Sequence, residues 1–323
     1  QAEKNGLSIH ERLIAHLPDY ARLASRIAPI LRLRELVPGA AWLSEITTGF
    51  TSKRPLPEWQ RNWFRNKELP VTPNKGQKPV LLFVDTFNRY FEPENLRAAC
   101  RVLWAAGYDV FTPTTIISNR PLCCGRTFLS TGMIDRAREE ANRLVETFLP
   151  FAEKGIPIVG LEPSCLLALR DEIPALLNNQ ASRKIAEFAL TFEEFLAKDK
   201  PVLHLQKTET RAFLHGHCHQ KAFDAVRPIE EVLSWVEGLQ VTTIETSCCG
   251  MAGAFGYGAD TYETSMKMAN VSLLPTIRES EPDDLIIADG TSCRCQIHDG
   301  TNRRAKHVAV VLDNYLEKRK STH

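Results

Sequence analysis

The chain has 323 residues, of which 43% are hydrophobic and 24% are charged, and its formal net charge is +1. This composition is typical of a soluble globular protein of about two domains, and the balanced charge gives no argument for nucleic acid as a partner. The sequence contains neither an apolar run long enough for a membrane span nor the apolar core of a secretory signal. We therefore expect a cytoplasmic protein, with peripheral membrane association left open. A chain that starts at Gln1 suggests a piece of a longer protein.

Nine cysteines are clustered along the chain rather than evenly spaced. They are Cys100, Cys123, Cys124, Cys165, Cys218, Cys248, Cys249, Cys293 and Cys295. An odd number does not suit a secreted disulfide scaffold, and reduced thiols with metal-binding or redox roles fit better. Cys100 is an exception, because it lies in a helical apolar pattern and is predicted to pack in the core.

The first 79 residues divide into a helical segment (1–50) and a proline-rich linker (51–79). Apolar residues recur at helical spacing over 8–36, where Ser8 and Asp19 are predicted to cap two pieces separated by Pro18. Prolines interrupt basic and aromatic residues in the linker. Its Trp59 and Trp63 are predicted either to dock onto a neighbouring domain or subunit, or to pack on their own domain.

An alternation of strands and helices begins at residue 80 and predicts a first lobe over 80–200. Apolar runs predict strands at 80–84, 108–111 and 156–161, and amphipathic patterns predict helices at 93–106 and 133–152. Strands buried on both faces and joined by helices of this length indicate a parallel sheet.

The same plan recurs over 201–323, the predicted second lobe. Strands are predicted at 212–215, 241–244 and 285–288, and helices at 228–237, 261–279 and 308–316. The rare tripeptide Cys-Cys-Gly occurs in both halves, and each half has a Ser-Cys pair after its third strand. We therefore predict an α/β fold with two duplicated, Rossmann-like parallel-sheet lobes.

The cysteines of the second lobe fall at or just after the carboxyl ends of predicted strands, where ligands collect in open parallel sheets. Helix N-termini that follow these turns would stabilise thiolates. The predicted cofactor ligands are Cys218, Cys248, Cys249 and Cys293, with Cys295 as a fifth candidate. Thiols that converge from three loops indicate a metal or an iron–sulfur cluster.

Zinc is a competing prediction, because mixtures of cysteine and histidine suit this metal. His215, His217 and His219 flank Cys218, and His217 and His219 are the candidate histidine ligands of zinc. If the strand continued this far, however, His215, His217 and His219 would share one face and Cys218 would lie on the other. For any single histidine here, ordinary polar packing is the favoured interpretation.

The first lobe offers a poorer set of candidate ligands, consisting of Cys123, Cys124, Cys165 and Asp85. Three thiols and a carboxylate could hold a single metal ion, or they could be the remnant of a site kept for packing, which is the interpretation we favour. A third alternative is contact with an anion or substrate by Arg89, Arg126 and Arg170.

The motifs around these cysteines resemble the cysteine-rich CCG domain that occurs twice in one subunit of heterodisulfide reductase. They are also similar to the iron–sulfur subunits of anaerobic glycerol-3-phosphate dehydrogenase, glycolate oxidase and lactate oxidation systems. The matching stretches are Gly216-His217-Cys218-His219, Ser247-Cys248-Cys249-Gly250-Met251-Ala252-Gly253, and Ser164-Cys165 with the Leu169-Arg170-Asp171-Glu172 that follows it. The resemblance covers residues from about 80 to 316 and implies a [4Fe-4S]-type cluster in the second lobe. The chain departs from the family pattern at Gly290, Thr86 and Glu162, where the family has cysteines.

Residues 48–59 resemble the region that joins a ferredoxin-like domain to CCG domains in fused FAD-linked dehydrogenases of the D-2-hydroxyglutarate or D-lactate type. This resemblance implies a redox module that passes electrons from reduced flavin to an acceptor, with FAD and ferredoxin-like domains upstream as partners. The fragment alone is then expected to be inactive. A zinc-bound or metal-free domain that covers the flavin domain, or drives homo-oligomer formation, is the alternative, and an independent thiol reductase using Cys248 and Cys249 is a third.

Overall fold

The computed structural model describes residues 6–74, 78–113 and 120–317. The N-terminal segment folds into five short helices. These are α1 (Ile9–Ala15), α2 (Leu17–Arg26), α3 (Ala28–Leu31), α4 (Leu33–Leu36) and α5 (Ala40–Thr48). Ser8 caps α1 in a capping box with Glu11, as predicted. Asp19, however, lies inside the first turn of α2 and its carboxylate bonds His16, so the prediction that it caps a helix is wrong. Among the described residues, no helix has the length and apolar character needed to cross a membrane.

The linker wraps on its own chain. Trp59 packs on Phe91 with ring centroids 4.2 Å apart, and Trp63 lies 6.3 Å from Tyr90. Phe50, just before the linker, forms an antiparallel bridge with Gly258 of the second lobe. Both tryptophans therefore dock the linker onto the predicted first lobe, which is the neighbouring domain of the first predicted alternative.

The first sheet contains four parallel strands in the order β2-β1-β3-β4. The strands are β1 (Lys78–Phe83), β2 (Tyr108–Phe111), β3 (Ile158–Gly160) and β4 (Ala189–Thr191). Their helices are α6 (Thr86–Tyr90), α7 (Pro93–Ala105), α8 (Arg126–Ser130), α9 (Ile134–Ala152), α10 (Pro163–Leu167), α11 (Glu172–Leu177), α12 (Gln180–Phe188) and α13 (Phe192–Asp199). The three predicted strands and the two predicted helices are present, whereas β4, α6, α8 and α10 to α13 were not predicted.

The second sheet contains three parallel strands in the order β6-β5-β7. The strands are β5 (Arg211–Leu214), β6 (Gln240–Thr243) and β7 (Leu285–Ile287). Their helices are α14 (Cys218–Ala222), α15 (Arg227–Ser234), α16 (Tyr262–Ala269), α17 (Leu273–Glu279), α18 (Thr291–Thr301) and α19 (Val308–Tyr315). The single helix predicted over 261–279 is therefore wrong. Pro275 lacks the N–H that a continuous helix needs, and it is accommodated only because it falls in the first turn of a new one.

The duplicated α/β fold is confirmed. In each sheet the first strand is central, the second lies on one side and the third on the other. Even the fourth strand of the first sheet has a counterpart, because Ile287 forms a parallel bridge with Lys306 just before α19. This correspondence supports our proposal that residues 80–200 and 201–323 are the two lobes.

One hydrophobic cluster spans the two lobes, in addition to a cluster within each lobe. Helix α7 of the first lobe packs on α19 of the second, and α13 of the first packs on α15 of the second. Buried residues from both sheets belong to this core, among them Val80, Leu103, Leu196, Leu214 and Leu312. The carboxyl ends of the two sheets, where the cysteines lie, are therefore held in a fixed relation by packed helices.

Candidate metal centre

Four cysteines of the second lobe converge at the carboxyl end of its sheet. Cys218 is the first residue of α14, Cys248 and Cys249 lie in the turn after β6, and Cys293 is in the first turn of α18. The sulfurs of Cys249 and Cys293 lie 3.4 Å apart, and hydrogen bonding links Cys248 to both Cys218 and Cys249. Cys218 is exposed, whereas Cys249 and Cys293 are buried. The arrangement places four sulfurs at a site that is open on one side.

These thiols share protons rather than acting independently. Hydrogen bonds from Cys218 and Cys249 lower the pKa of Cys248 to about 2, and the Gly250 backbone N–H, 3.3 Å from its sulfur, adds to the effect. A hydrogen bond from Cys249 likewise holds the pKa of Cys293 well below its usual value. The same contacts raise the pKa of Cys218 and Cys249. The site therefore carries thiolate charge at neutral pH, which is the form that binds metals.

Gly250 is required by the shape of the Cys-Cys-Gly turn. Its φ is 86°, in the left-handed region, and a Cβ atom there would collide with the carbonyl oxygen of Ser265 in α16. The turn can therefore pack tightly on α16 only because residue 250 has no side chain. This packing fixes the positions of Cys248 and Cys249 relative to the other two thiols.

His215 lies next to the thiols, and the sequence did not single it out as a ligand. One of its ring nitrogens and the sulfurs of Cys249 and Cys293 all lie within 4.8 Å of one another. The argument from strand alternation is wrong, because β5 ends at Leu214 and a helix already begins at Cys218. The side chains of residues 215–219 therefore do not alternate between two faces.

His217 and His219 occupy different surroundings. The His217 ring fills the space beside Gly290, where a Cβ atom would come within 2.5 Å of its Cδ2. His219 turns towards the first lobe, where its Nδ1 lies 3.4 Å from Arg126 Nη1. Burial, Arg126 and His217 lower the pKa of His219 to about 4, so the ring is neutral at pH 7. A group of Asp171, Glu172 and His219 lies here, but Arg126 already bonds Glu172.

Cys295 lies on another side of α18 from Cys293, because two residues correspond to a rotation of about 200° around a helix. Its thiol interacts with the buried Tyr257, and burial raises its pKa to about 12. The structure thus brings four of the five predicted cofactor ligands together and places Cys295 among aromatic and acidic groups instead.

The corresponding site of the first lobe is buried. The sulfurs of Cys124 and Cys165 lie 3.2 Å apart, and Cys123 is hydrogen-bonded to Cys124. Asp85 caps α6 by accepting hydrogen bonds from the backbone of Phe87 and Asn88, each 2.9 Å long. The Asp85 carboxylate also accepts from the Asn88 side chain, so its oxygens are already engaged.

Protonation distinguishes the two lobes more clearly than ligand count does. The hydrogen bond to Cys124 and burial raise the pKa of Cys123 well above its usual value. Cys165 gains a hydrogen bond from Cys124 that lowers its pKa, but burial and the carboxylates of Asp85 and Glu162 outweigh it and raise the value to about 12. The pKa of Cys124 is also raised. The first-lobe thiols are therefore neutral at pH 7.

The three arginines considered as anion ligands are engaged within the protein. Arg89 is buried and donates to the Phe64 carbonyl and the Asn66 side chain. Arg170 Nη1 donates to both carboxylate oxygens of Glu194, at 2.8 and 2.9 Å. Arg126 pairs with Glu172. These contacts give each guanidinium a partner within the fold and disfavour a role in anion binding.

Two further contacts tie the lobes together beside the second site. Glu162, which follows β3, accepts a 2.9 Å hydrogen bond from the backbone N–H of Thr291 at the start of α18. Arg294, one residue after Cys293, donates to Glu92 of the first lobe at 2.8 Å. The helix that carries Cys293 is thus anchored near its N-terminus by two carboxylates from the other lobe.

Arg54, from the predicted linker, is buried beneath the Cys-Cys-Gly turn. Its guanidinium contacts the sulfur of Met251 and donates a 2.6 Å hydrogen bond to Gln296 of α18. It also lies over the rings of Tyr257 and Tyr262, with centroid distances of 5.6 and 5.1 Å. Arg54 therefore joins the turn with Cys248 and Cys249 to the helix with Cys293.

A third group of potential metal ligands, Glu193, Asp289 and His307, lies buried between the lobes. Both ring nitrogens of His307 are engaged, since Nε2 lies 3.0 Å from the Leu161 carbonyl and Nδ1 accepts from the Ala309 N–H. Asp289 accepts from Val308 N–H and from Gln220. Glu193 Oε1 has no hydrogen-bond partner among the described residues. The group is best explained as an interface network with one protonated glutamate.

Glu193 leads to a prediction about the pH dependence of stability. Burial and the charge of Asp289 raise its pKa well above 4.5, so the folded state keeps a proton that the unfolded state releases. Stability therefore falls as pH rises from about 4.5 towards the folded pKa, by on the order of 1.4 kcal/mol per pH unit for one group. Urea denaturation at pH 5, 6, 7 and 8 measures the free energy of unfolding. We expect this free energy to fall less steeply with pH in Glu193→Gln than in the wild type. The exposed Glu187→Gln should keep the wild-type slope, and equal slopes for wild type and Glu193→Gln would contradict the assignment.

Comparison with known proteins gives a consistent classification. The sequence model of the family described as "Cysteine-rich domain" (CCG) matches residues 213–298. A subunit of anaerobic glycerol-3-phosphate dehydrogenase of Escherichia coli is 27% identical over 316 residues, which cover 96% of this chain and 78% of that protein. D-2-hydroxyglutarate dehydrogenase of Pseudomonas putida is 28% identical over 77% of this chain but only 23% of its own length. Lactate utilization protein A of Bacillus subtilis is 27% identical over 73% of this chain and 99% of its own length.

Proposed function

Residues 213–298 form a cysteine-rich domain of the CCG family, and from that premise we propose that the chain is an iron–sulfur redox module of an FAD-linked 2-hydroxyacid dehydrogenase. Its task would be to pass electrons from reduced flavin to an acceptor. The observation that carries the proposal is the convergence of Cys218, Cys248, Cys249 and Cys293 with thiolate character. The similarity to dehydrogenases and to a lactate utilization protein supports an oxidoreductase role.

The donor set fits an iron–sulfur cluster of the [4Fe-4S] type. Such a cluster is held by cysteine thiolates and supplies reversible one-electron transfer at a potential set by charge, hydrogen bonds and exposure. Cys249 and Cys293 would hold the buried side, and the exposed Cys218 would hold the side that faces the acceptor. The Gly250 N–H, already 3.3 Å from Cys248 Sγ, would stabilise negative charge on that sulfur.

The chain's own residues also govern how charge is balanced at the site. Lys221 Nζ donates a 2.8 Å hydrogen bond to Thr246. Burial lowers the pKa of its amine, and the charges of the four second-lobe thiols oppose this shift. The thiolates are therefore faced by a basic group, Lys221 of α14, which would offset part of the negative charge of a cluster.

The flavin and ferredoxin-like domains of a full-length enzyme are the proposed partners. Helices α3 to α5 support a docking face, since they expose large apolar side chains that a protein in isolation normally covers. Ile30, Leu36, Trp42 and Ile46 are 63%, 64%, 62% and 61% exposed. The chain spans only 23% of the D-2-hydroxyglutarate dehydrogenase that it matches, so the flavin-bearing remainder of such an enzyme is the occupant that we propose for this face.

A zinc-bound assembly domain that covers the flavin domain is the second candidate function. It is favoured specifically by the grouping of His215 with Cys249 and Cys293, because mixed nitrogen and sulfur ligands are common in structural zinc sites. In this case the second lobe would stabilise the partner without carrying electrons. The two candidates differ in metal content, and this difference can be measured directly.

The test is purification and reconstitution of the full chain without oxygen, with iron and sulfide quantified together with zinc. The proposal expects iron and acid-labile sulfide in similar amounts, a charge-transfer absorbance that is bleached by dithionite, and little zinc. One zinc ion per chain without that absorbance would instead establish the second candidate. Protein that binds neither iron nor sulfide contradicts the redox proposal.

A further inference from the structure

We propose that His215 is a nitrogen ligand of the second-lobe metal, in the place of the thiol that is missing at residue 290. This inference rests on the proposed function, because it assumes that the second lobe holds a metal or cluster. It concerns a residue outside the four cysteines and is carried by burial, hydrogen bonding and the chemistry of imidazole.

The His215 side chain is sealed inside the protein beside the thiols. The residue is 1% exposed, and its backbone N–H donates a 2.8 Å bond to the Ile287 carbonyl, which extends the pairing of β5 with β7. The ring is therefore held at the strand end by regular sheet geometry. An imidazole in such a place must satisfy both nitrogens, because an unpaired buried polar group costs on the order of 1–3 kcal/mol.

The two ring nitrogens have different surroundings. His215 Nδ1 lies 3.0 Å from the Thr246 hydroxyl, whereas Nε2 forms no well-aligned hydrogen bond among the described residues and the ring interacts with the Cys293 thiol. Thr246 Oγ1 also accepts a hydrogen bond from Lys221 at 2.8 Å. A hydroxyl can accept a second hydrogen bond from Nδ1–H, and this tautomer leaves a lone pair on Nε2. The contact reproduces the usual support of a metal-bound histidine, whose other nitrogen donates to an oxygen.

The imidazole lies within reach of the thiols. A ring nitrogen of His215 and the sulfurs of Cys249 and Cys293 lie within 4.8 Å of one another, with the sulfurs 3.4 Å apart. Two sulfurs on one tetrahedral metal ion, or a sulfur and a nitrogen, are separated by roughly 3.5–3.8 Å, given metal–ligand bonds of about 2.0–2.3 Å. A small rearrangement would therefore bring the imidazole nitrogen onto a metal centre that these sulfurs hold.

Residue 290 is the position where the family pattern has a further cysteine, which would be a fifth donor beside Cys218, Cys248, Cys249 and Cys293. A side chain at Gly290 would meet His217 Cδ2 at 2.5 Å and Cys293 Sγ at 3.2 Å, so this position faces the site but has no room for a thiol. His215 approaches the same site from the neighbouring strand end. Exchange of a thiolate for a neutral imidazole makes the site less negative by one charge, which raises the reduction potential of an iron–sulfur centre.

The experiment uses the full chain, reconstituted anaerobically with iron and sulfide and labelled with ¹⁵N-histidine. Pulsed electron paramagnetic resonance of the reduced centre should detect ¹⁵N coupling from one directly bound imidazole. His215→Gln should abolish this coupling, whereas the neighbouring His217→Gln should retain it. His215→Cys should give an all-sulfur site that lacks the ¹⁵N coupling and has a lower midpoint potential. Because cysteine can also bind the metal, this variant allows the test even if His215→Gln loses the cluster.

The outcomes separate this inference from the proposed function. A cluster without ¹⁵N-histidine coupling, or a coupling that survives His215→Gln, overturns the role of His215 while leaving the redox module intact. If the chain takes up zinc instead of iron and sulfide, the redox proposal fails, and X-ray absorption then decides on His215. One nitrogen in the zinc shell that disappears in His215→Gln supports the ligand, whereas an all-sulfur shell, or no bound metal at all, overturns it.

Discussion

Replacement of Cys249 by serine is expected to strip the cofactor from the second lobe, while Cys124→Ser in the first lobe costs much less. Cys249 is buried, 3.4 Å from Cys293, and linked by hydrogen bonding to the Cys248 thiolate, so its loss removes a central donor. Loss of a merely supporting contact lowers metal affinity by roughly 10- to 100-fold, and loss of a ligand should exceed that. Iron and sulfide per chain after anaerobic reconstitution measure the effect.

Cys124→Ser is the matched control, because it changes the equivalent cysteine of the equivalent Cys-Cys-Gly turn. The neutral, buried thiols of the first lobe predict that this variant keeps most of the iron of the wild type. Circular dichroism of both variants ensures that metal loss is compared between folded proteins. Greater metal loss in Cys124→Ser than in Cys249→Ser would reverse our ranking of the two lobes.

Removal of the Arg54 side chain is expected to have the largest effect on stability. Arg54 is 2% exposed, donates to Gln296, and lies 3.5 Å from the buried carboxylate of Asp299. Arg54→Met keeps much of the apolar stem but leaves Asp299 without its counter-charge. Loss of one partner of a buried ion pair typically costs about 3–5 kcal/mol. Chemical denaturation of the metal-free chain should show a decrease of this order.

The adjacent residue supplies the control for this prediction. Lys53 pairs with Glu263 at the surface, where both side chains are more than half exposed. Exposed ion pairs add little to stability, so Lys53→Met should leave the denaturation midpoint unchanged. Equal stability of Arg54→Met and Lys53→Met would show that the buried guanidinium is not a structural link between the turn and α18.

The parts of the fold that the sequence predicts correctly are those fixed by local pattern. Continuous apolar runs such as 80–84 are typical of buried strands, and the repeated Cys-Cys-Gly turn after a strand marks the duplication. Helix α9 is predicted almost to the residue because its apolar face repeats over five turns. Strand β4 and helices α10 and α11 are too short to show a clear period. Helix α12 was missed although Ala181, Ile185 and Phe188 recur at helical spacing.

The candidate site is predictable in part for the same reason. The four converging cysteines follow from strand ends, which the pattern locates well. The sequence does not predict the roles of His215 and Arg54, because these roles depend on where the chain turns in three dimensions. The pattern puts His215 on a strand that in fact ends one residue earlier, and Arg54 reaches the site from a segment that composition describes only as a linker. The apolar residues that precede His215 are the available signal, since they mark the strand end beside Cys218.

The core shared by the two lobes has a consequence for the persistence of the first one. Helices α7 and α13 belong to the half whose thiols are neutral, yet they cover α19 and α15 of the half whose thiols carry charge. The first lobe cannot be lost, even if it binds no metal, because the second lobe would then lose the helices that shield its core from water. Selection on the second site alone would therefore be enough to preserve the whole ancestral pair, even after one copy had stopped binding anything.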